Sequence, residues 1–478
     1  MPIKDIIFGD YAPDRGGLPF PSDPGYLVQA LNVRPTAQGY RAMAIDEEVA
    51  SASTLAVTPV SAAGFSTSGN SRHYAGGATS LYESSDEGVT WYDNSAAVYT
   101  TTSHWDFALF ETYVIAVNGA NNPQFKLISA AIANNFADLT GSPPVAVVVE
   151  RVRDHVVLGG VSSNYTTLQW GAQGDPTSWP TPGTAAARAA QAGTQYLPEE
   201  LGHINQIVGG EKFGLVFQTN GITRMTYVGG SNVFTFDTYE RARGSGFYSS
   251  AIMVDGICYY ASALGFFRTD GYSVENLSAG RIEDAIVRNF LSLTESGIYG
   301  GSAAYDPRTF TVMWSKSTSY VLCYHILHKR FSILSRATTP SAEGTLYTVR
   351  NDQSNASALE IAHSFNSTPR LCTFTDVTAV PTTLRTGYFE LDDGITTITG
   401  LEPIARGTSI ALAGKAVMTM ASADVSSANY NSFTASSRSH LHHLRQTGRF
   451  HSLKMTGTAA AGDLYQGIRV HYEKSSSL

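Results

Sequence analysis

Apolar residues in this chain come in short runs cut by turn dipeptides. Between residues 244 and 290 the runs Ile252-Met253-Val254, Ile257-Cys258-Tyr259-Tyr260, Gly265-Phe266-Phe267-Arg268 and Tyr272-Ser273-Val274 are separated by Asp255-Gly256, Leu264-Gly265 and Asp270-Gly271. An Asp-Gly pair between such runs is a strong hairpin signal, because both central residues of the tightest turn need a positive φ. The stretch therefore predicts a four-stranded antiparallel meander. After it, Ile282, Ala285, Ile286 and Phe290 recur at helical spacing, which predicts a short helix against the sheet. One meander of this size leaves both faces uncovered, whereas several arranged radially cover one another, as in a β-propeller.

The same grammar runs from about residue 60 to 366. Candidate units span 62–93, 104–140, 150–180, 203–239, 247–278 and 300–334, with a partial unit at 343–366. Their starts are separated by roughly forty to fifty residues, the period of a propeller blade, and the blade count is about six to seven. Thr181 to Pro198, with an Ala-Ala-Ala-Arg-Ala-Ala core, is either a short helix in an inter-blade loop or a mobile insertion. From about 371 the pattern lengthens to period-two alternation, as in Leu384 to Leu391, Ala416 to Met420, His451 to Met455 and Gln466 to Tyr472. That predicts half-buried antiparallel strands and a small β-sandwich. At the other end, Pro13, Pro19, Pro21, Pro24 and Pro35 exclude a helix. Tyr11, Phe20, Tyr26 and Leu31 favour an extended arm over a disordered leader, and residues 46–60 read as a linker. The expected organisation is all-β: an arm and linker over 1–55, a propeller over 56–370, and a β-rich oligomerisation domain over 371–478.

Charged residues make up 15% of the 478, against about 25% in typical globular chains. The surface must be rich in Ser, Thr, Asn, Gln and Gly, which suits extensive protein contacts where each buried charge would need a partner. The net charge of −8 and the lack of any Lys/Arg run argue against a nucleic-acid reader. No segment approaches eighteen apolar residues, so neither a membrane span nor a secretory signal is expected. Cys258, Cys323 and Cys372 are odd in number and far apart, which leaves no disulfide framework and no Cys-x-x-Cys metal site.

One motif matches a known device at every position. Ser84-Ser85-Asp86-Glu87-Gly88-Val89-Thr90-Trp91 is an Asp-box, in which Asp86 accepts turn N–H groups, Gly88 takes a restricted backbone shape and Trp91 fills the gap between adjacent sheets. Ser84, Asp86, Gly88 and Trp91 are thus structural residues of a third-to-fourth-strand hairpin. Sialidases carry such boxes, and so do non-catalytic propellers. A glycan-binding or glycan-hydrolysing propeller is the alternative reading, with Arg151, Arg224, Arg241 and the Tyr239-Glu240 pair as its candidate chemistry and Trp91, Trp105, Trp170, Trp179 and Trp314 as sugar platforms. His440, His442, His443 and His451 form the densest histidine group, with no carboxylate close in sequence to orient a metal-bound ring. No nucleophile elbow, phosphate loop or dinucleotide fingerprint occurs. No enzyme activity, cofactor or metal is expected.

Three places together resemble the tail-hub or nozzle proteins of short-tailed bacteriophages, the group that includes the packaged-DNA stabilisation protein. They are Asp10-Tyr11-Ala12-Pro13-Asp14 through Gly39-Tyr40-Arg41, the meander with Gly244, Gly246, Asp255-Gly256, Gly265-Phe266 and Asp270-Gly271, and the end from Arg449 to Tyr472 with Gly457 and Gly467. The resemblance implies a structural virion protein of the tail, made in the host bacterial cytoplasm. It also implies six copies in a ring below the portal and head-tail adaptor protein, contacting distal needle, spike or fibre proteins and retaining packaged DNA. Independently of that resemblance, a wall past which duplex DNA slides should be acidic or neutral, so that phosphate is not trapped.

Overall fold

In a computed structural model of the chain, the repeated turn grammar resolves into seven radially arranged four-stranded antiparallel sheets. The structure describes residues 2–15, 23–43, 45–67, 69–230, 232–283, 302–315, 320–335, 346–351, 362–366, 368–374, 380–406, 410–419, 430–435, 441–459 and 463–475. Blades one to six span 61–93, 106–138, 146–196, 204–240, 252–276 and 302–335. The seventh takes Tyr347–Asn351, Ala362–Phe365 and Leu371–Phe374 as its inner strands. The fold is an all-β propeller. In the fifth blade, Asp255 (φ 49°) and Gly256 (φ 81°) make the predicted tight turn between Ile252–Val254 and Ile257–Ser262. The helix expected over Ile282 to Phe290 lies almost wholly outside the described residues.

Two connections differ from expectation. The segment 181–198 is not an inter-blade connection: it carries a five-residue helix, Ala185–Ala189, capped by Thr184, and then Gly193–Tyr196, the outer strand of the third blade. The supposed 46–60 linker begins with Asp46–Glu48, which pairs with Leu371–Phe374 and supplies the fourth strand of the last blade. Its alternating residues are anchored there. Ser364 Oγ donates to Asp46 Oδ2 at 3.1 Å, and Arg370 pairs with Glu48 at 2.5 Å. The propeller is thus closed by a strand from the start of the chain, which a local reading of three polar residues could not reveal.

Neighbouring blades are tied at every junction by groups in or beside their innermost strands. Ser61 Oγ accepts from Trp105 N (3.0 Å), Asp106 Oδ2 from Val149 N (2.8 Å), Gly210 O from Arg153 N (3.2 Å) and Ser249 O from Ala303 N (2.8 Å). The Gln206 amide makes both bonds to the Ala251 backbone, each 2.9 Å, and Thr348 Oγ1 does the same with Tyr305. Between the last blade and the first, Val349–Asn351 run parallel to Gly64–Ser66 in a true ladder. These bonds join each blade to the next and fix the angular spacing of the blades.

The second unit is a two-sheet β structure built from both ends of the chain. One sheet runs Leu27–Leu31, Val380–Thr386, Phe450–Ala459, Ala411–Val417, Asn431–Ala435; the other runs His442–Gly448, Thr396–Arg406, Leu464–Lys474, Gly39–Ala42, Val33–Thr36, with Asn431–Ala435 bridging the two. Ile3–Ile7 pairs along Leu464–Lys474 in register Ile3↔His471 to Ile7↔Gly467. The N-terminal segment is therefore not an arm lying over a surface; its strands are members of the second unit. Leu371–Phe374 belongs to the propeller, so the second unit's C-terminal portion starts near residue 380. Alternation puts Ile6, Ala30, Leu384, Leu401, Leu412, Met455, Ile468 and Val470 into a core continuous with that of blades five and six.

Asn32 joins the two units. It is 2% exposed, at φ 58°, a region Asn tolerates better than other side-chain-bearing residues. Its N–H donates to Ile333 O (2.7 Å), its Oδ1 accepts from Ser335 N (2.7 Å) and Ser335 Oγ (2.9 Å), and its Nδ2 donates to Pro381 O (2.8 Å). One side chain thus links the outer strand of blade six to the second unit. Asn32→Ala leaves buried groups at Ser335 and Pro381 unpaired and adds strain at positive φ, a loss of about 3 kcal/mol. The urea midpoint should drop accordingly, while Asn32→Gly, which keeps the backbone shape, should lose less; equal losses would contradict this assignment.

Candidate functional site

The first strands of all seven blades enclose a cavity of about 330 Å³ along the propeller axis. Among the described residues its charged lining residues are Asp106 and Glu150, with no lysine, arginine or histidine. Both carboxylates are held by backbone donors: Asp106 by Val149 N and by Phe107 N at 3.0 Å, Glu150 Oε1 by Arg151 N at 2.9 Å. His104, just before the first strand of blade two, stacks on Tyr248, just before that of blade five, with ring centroids 4.4 Å apart. Blades two and five are not neighbours, so the stack spans the axis and covers that end of the channel. Burial pushes the His104 ring down to about 3, so it is neutral at ordinary pH. The chamber's fixed charge is negative, which disfavours phosphate and carboxylate guests.

The Asp-box sits between Leu81–Ser84 and Tyr92–Asp93, the third and fourth strands of blade one. Ser84 Oγ donates to Asp86 Oδ1 (2.8 Å) and accepts from Gly88 N (3.0 Å), while Asp86 Oδ1 accepts from Thr90 N (2.8 Å). Partial burial raises the Asp86 carboxyl, but these donors outweigh it and hold the group below its ordinary value. Gly88 has φ 80°, and a Cβ there would lie 2.9 Å from Leu371 Cβ. Trp91 packs on Phe365 of the last blade, centroids 5.7 Å apart. The box therefore sits on the seam where the ring closes.

The residues considered for glycan chemistry are each engaged by local partners. Arg151 Nε donates to Arg153 O; Arg224 pairs with Asp237 and lies over the Tyr272 ring; Arg241 pairs with Glu200. Tyr239 shares a hydrogen bond with Thr269 Oγ1, and Glu240 accepts from the N–H groups of Arg241, Ala242 and Arg243. None of them lines the axial cavity. Trp105, Trp170, Trp179 and Trp314 are buried, with indole N–H groups donating to Gly77 O, Gln191 O, Pro176 O and Ser250 O.

Of the histidine group, His440 lies outside the described residues. His442 and His443 are adjacent in one strand and so point to opposite faces; His442 Nδ1 contacts Phe433 O at 3.2 Å. His451 is fully buried, its Nε2 2.7 Å from Thr396 Oγ1. Among the described residues no three His, Cys, Asp or Glu side chains gather as a metal site. Cys258, Cys323 and Cys372 are buried free thiols, and burial pushes the thiols of Cys258 and Cys323 up.

No family model matches the chain, and no curated protein matches it. Among solved structures it is similar to BamB from Moraxella catarrhalis (9% identity, TM-score 0.40, 70% of this chain and 98% of that one). It is also similar to the RRP9 WD40 repeats (6%, 0.43, 69% and 97%) and to the Cps50 β-propeller domain of Myceliophteria thermophila (8%, 0.44, 70% and 99%).

Burial lowers the rings of His104 to about 3 and of His325 and His451 to about 4. In the unfolded chain each titrates near 6.5. The unfolded state therefore binds protons that the folded state refuses, and stability is complete above about pH 6.5 and declines as pH falls toward about 4. The urea midpoint should fall between pH 7 and 4.5, and His451→Asn should flatten part of that slope; a flat midpoint over this range would refute the assignment.

Proposed function

We propose that this chain is an architectural subunit of a multi-protein assembly, of the kind formed by the tail-hub or nozzle proteins of short-tailed bacteriophages. The observation that carries the reading is the interlock of the two units. The first 48 residues give strands to the second unit and the closing strand to the propeller, and Asn32 bonds to both. Such a body transmits force without a hinge between its parts, which is what a ring segment needs.

In this reading about six copies surround a channel for duplex DNA, one face meets a head-tail adaptor and the other a distal tail component. DNA moves through the lumen of the ring and not along the propeller axis, whose chamber of about 330 Å³ is far too small for a duplex. The few charges suit the role, since many of those present are already spent in local ion pairs such as Arg469–Asp5 and Arg449–Glu390. The lumen-facing surface is then acidic or neutral, with scattered basic residues.

Electron microscopy and light scattering of the purified chain, alone and with a candidate adaptor ring, test the reading. Closed rings of about six subunits, alone or on the adaptor, are the expected result. A particle that stays monomeric in both conditions and hydrolyses a sialoside would instead establish the glycan-active alternative.

A further inference from the structure

The sheet that abuts blade six carries two cations on the face opposite its core. Strands Leu27–Leu31, Val380–Thr386 and Phe450–Ala459 lie side by side, with Gln29 opposite Arg385 and Arg385 opposite Lys454. Residues directly opposite in neighbouring strands share a face, so these three form a row about 10 Å long. The next row, Ala30, Leu384 and Met455, points into the core.

Arg385 is 8% exposed. Its Nε and Nη1 are sealed from solvent and meet no hydrogen-bond partner among the described residues, and the same is true of Gln29 Oε1. The guanidinium lies 5.9 Å from the centre of the Tyr430 ring, whose hydroxyl is bonded to Ser452 Oγ at 2.7 Å and so fixes the ring there. Among the described residues neither Arg385 nor Lys454 takes part in an ion pair. A buried guanidinium without counter-charge or acceptors is a large unmet desolvation cost, and buried charges are otherwise found paired.

We propose that Gln29, Arg385 and Lys454 form a binding site for a small oxyanion, phosphate in particular. The guanidinium offers N–H donors and a fixed positive charge, the ammonium adds a second charge, and together they balance a dianion. The orphaned Gln29 carbonyl is placed to accept the P–OH of monohydrogen phosphate, a donor that sulfate lacks. Gln29 and Lys454 are only partly buried, so a shift of these two side chains opens the sealed Arg385 donors to an entering anion. The site lies outside the acidic axial chamber and does not depend on the assembly reading.

Thermal unfolding of the full chain, titrated with phosphate against chloride at matched ionic strength, tests the proposal. Wild type should show a saturable rise in Tm, larger for phosphate than for sulfate. Arg385→Met should abolish the phosphate-specific rise without lowering Tm in phosphate-free buffer, because it removes an unpartnered buried charge. Lys454→Gln should move the half-saturating phosphate concentration up at least tenfold, and it decides the matter if Arg385→Met fails to fold. An equal response of wild type and either variant, or no phosphate-specific rise in wild type, overturns the site.

Discussion

The structure depends on strand pairing between residues more than three hundred positions apart. A propeller whose last sheet lacked its outer strand would expose a row of unpaired N–H and C=O groups, and the second unit without Leu27–Leu31 and Ile3–Ile7 would lose two strands. The N-terminal segment answers both needs. Asn32 stands where the two demands meet, and its hydrogen bonds to Ile333, Ser335 and Pro381 tie one unit to the other. The continuous core, from Phe266 and Trp314 in the blades to Leu384 and Ile468 beyond them, makes the joint apolar as well as polar.

Within the propeller the same logic operates on a smaller scale. Each wedge is held to the next by a side chain or backbone group in or beside its innermost strand. The two latches that make paired bonds, Gln206 with Ala251 and Thr348 with Tyr305, imitate a β ladder where the strands are too splayed to form one. Where the ring closes, the wedges come close enough for a real ladder, and the Asp-box tryptophan packs on the last blade at that seam. The box thus stiffens the position at which an unclosed ring would open first.

What could be read from the sequence was local. The Asp255-Gly256 turn, the Asp-box geometry and the blade spacing depend on residues within a few positions of one another, and period and turn chemistry revealed them. What escaped was non-local. Asp46-Glu47-Glu48 looks like linker because its partner strand lies beyond residue 370, and the proline-rich start looks like an arm because its pairing partners are the last strands of the chain. The Arg385 row was equally hidden: Gln29, Arg385 and Lys454 carry no shared motif, and only register across three strands places them together. For the same reason the arginines named as glycan candidates could not be judged until their local partners were seen.

Native-state hydrogen exchange reads the central claim most directly, because it reports the opening free energy of each backbone N–H. If the N-terminal strands are integral to both units, amides of Leu27–Leu31 and Asp46–Glu48 should exchange as slowly as those of Val380–Thr386 and Leu371–Phe374, with which they pair. Fast exchange throughout the first 48 residues, beside full protection of those partner strands, would mean that the segment is merely laid on the surface and that the two units are not one body.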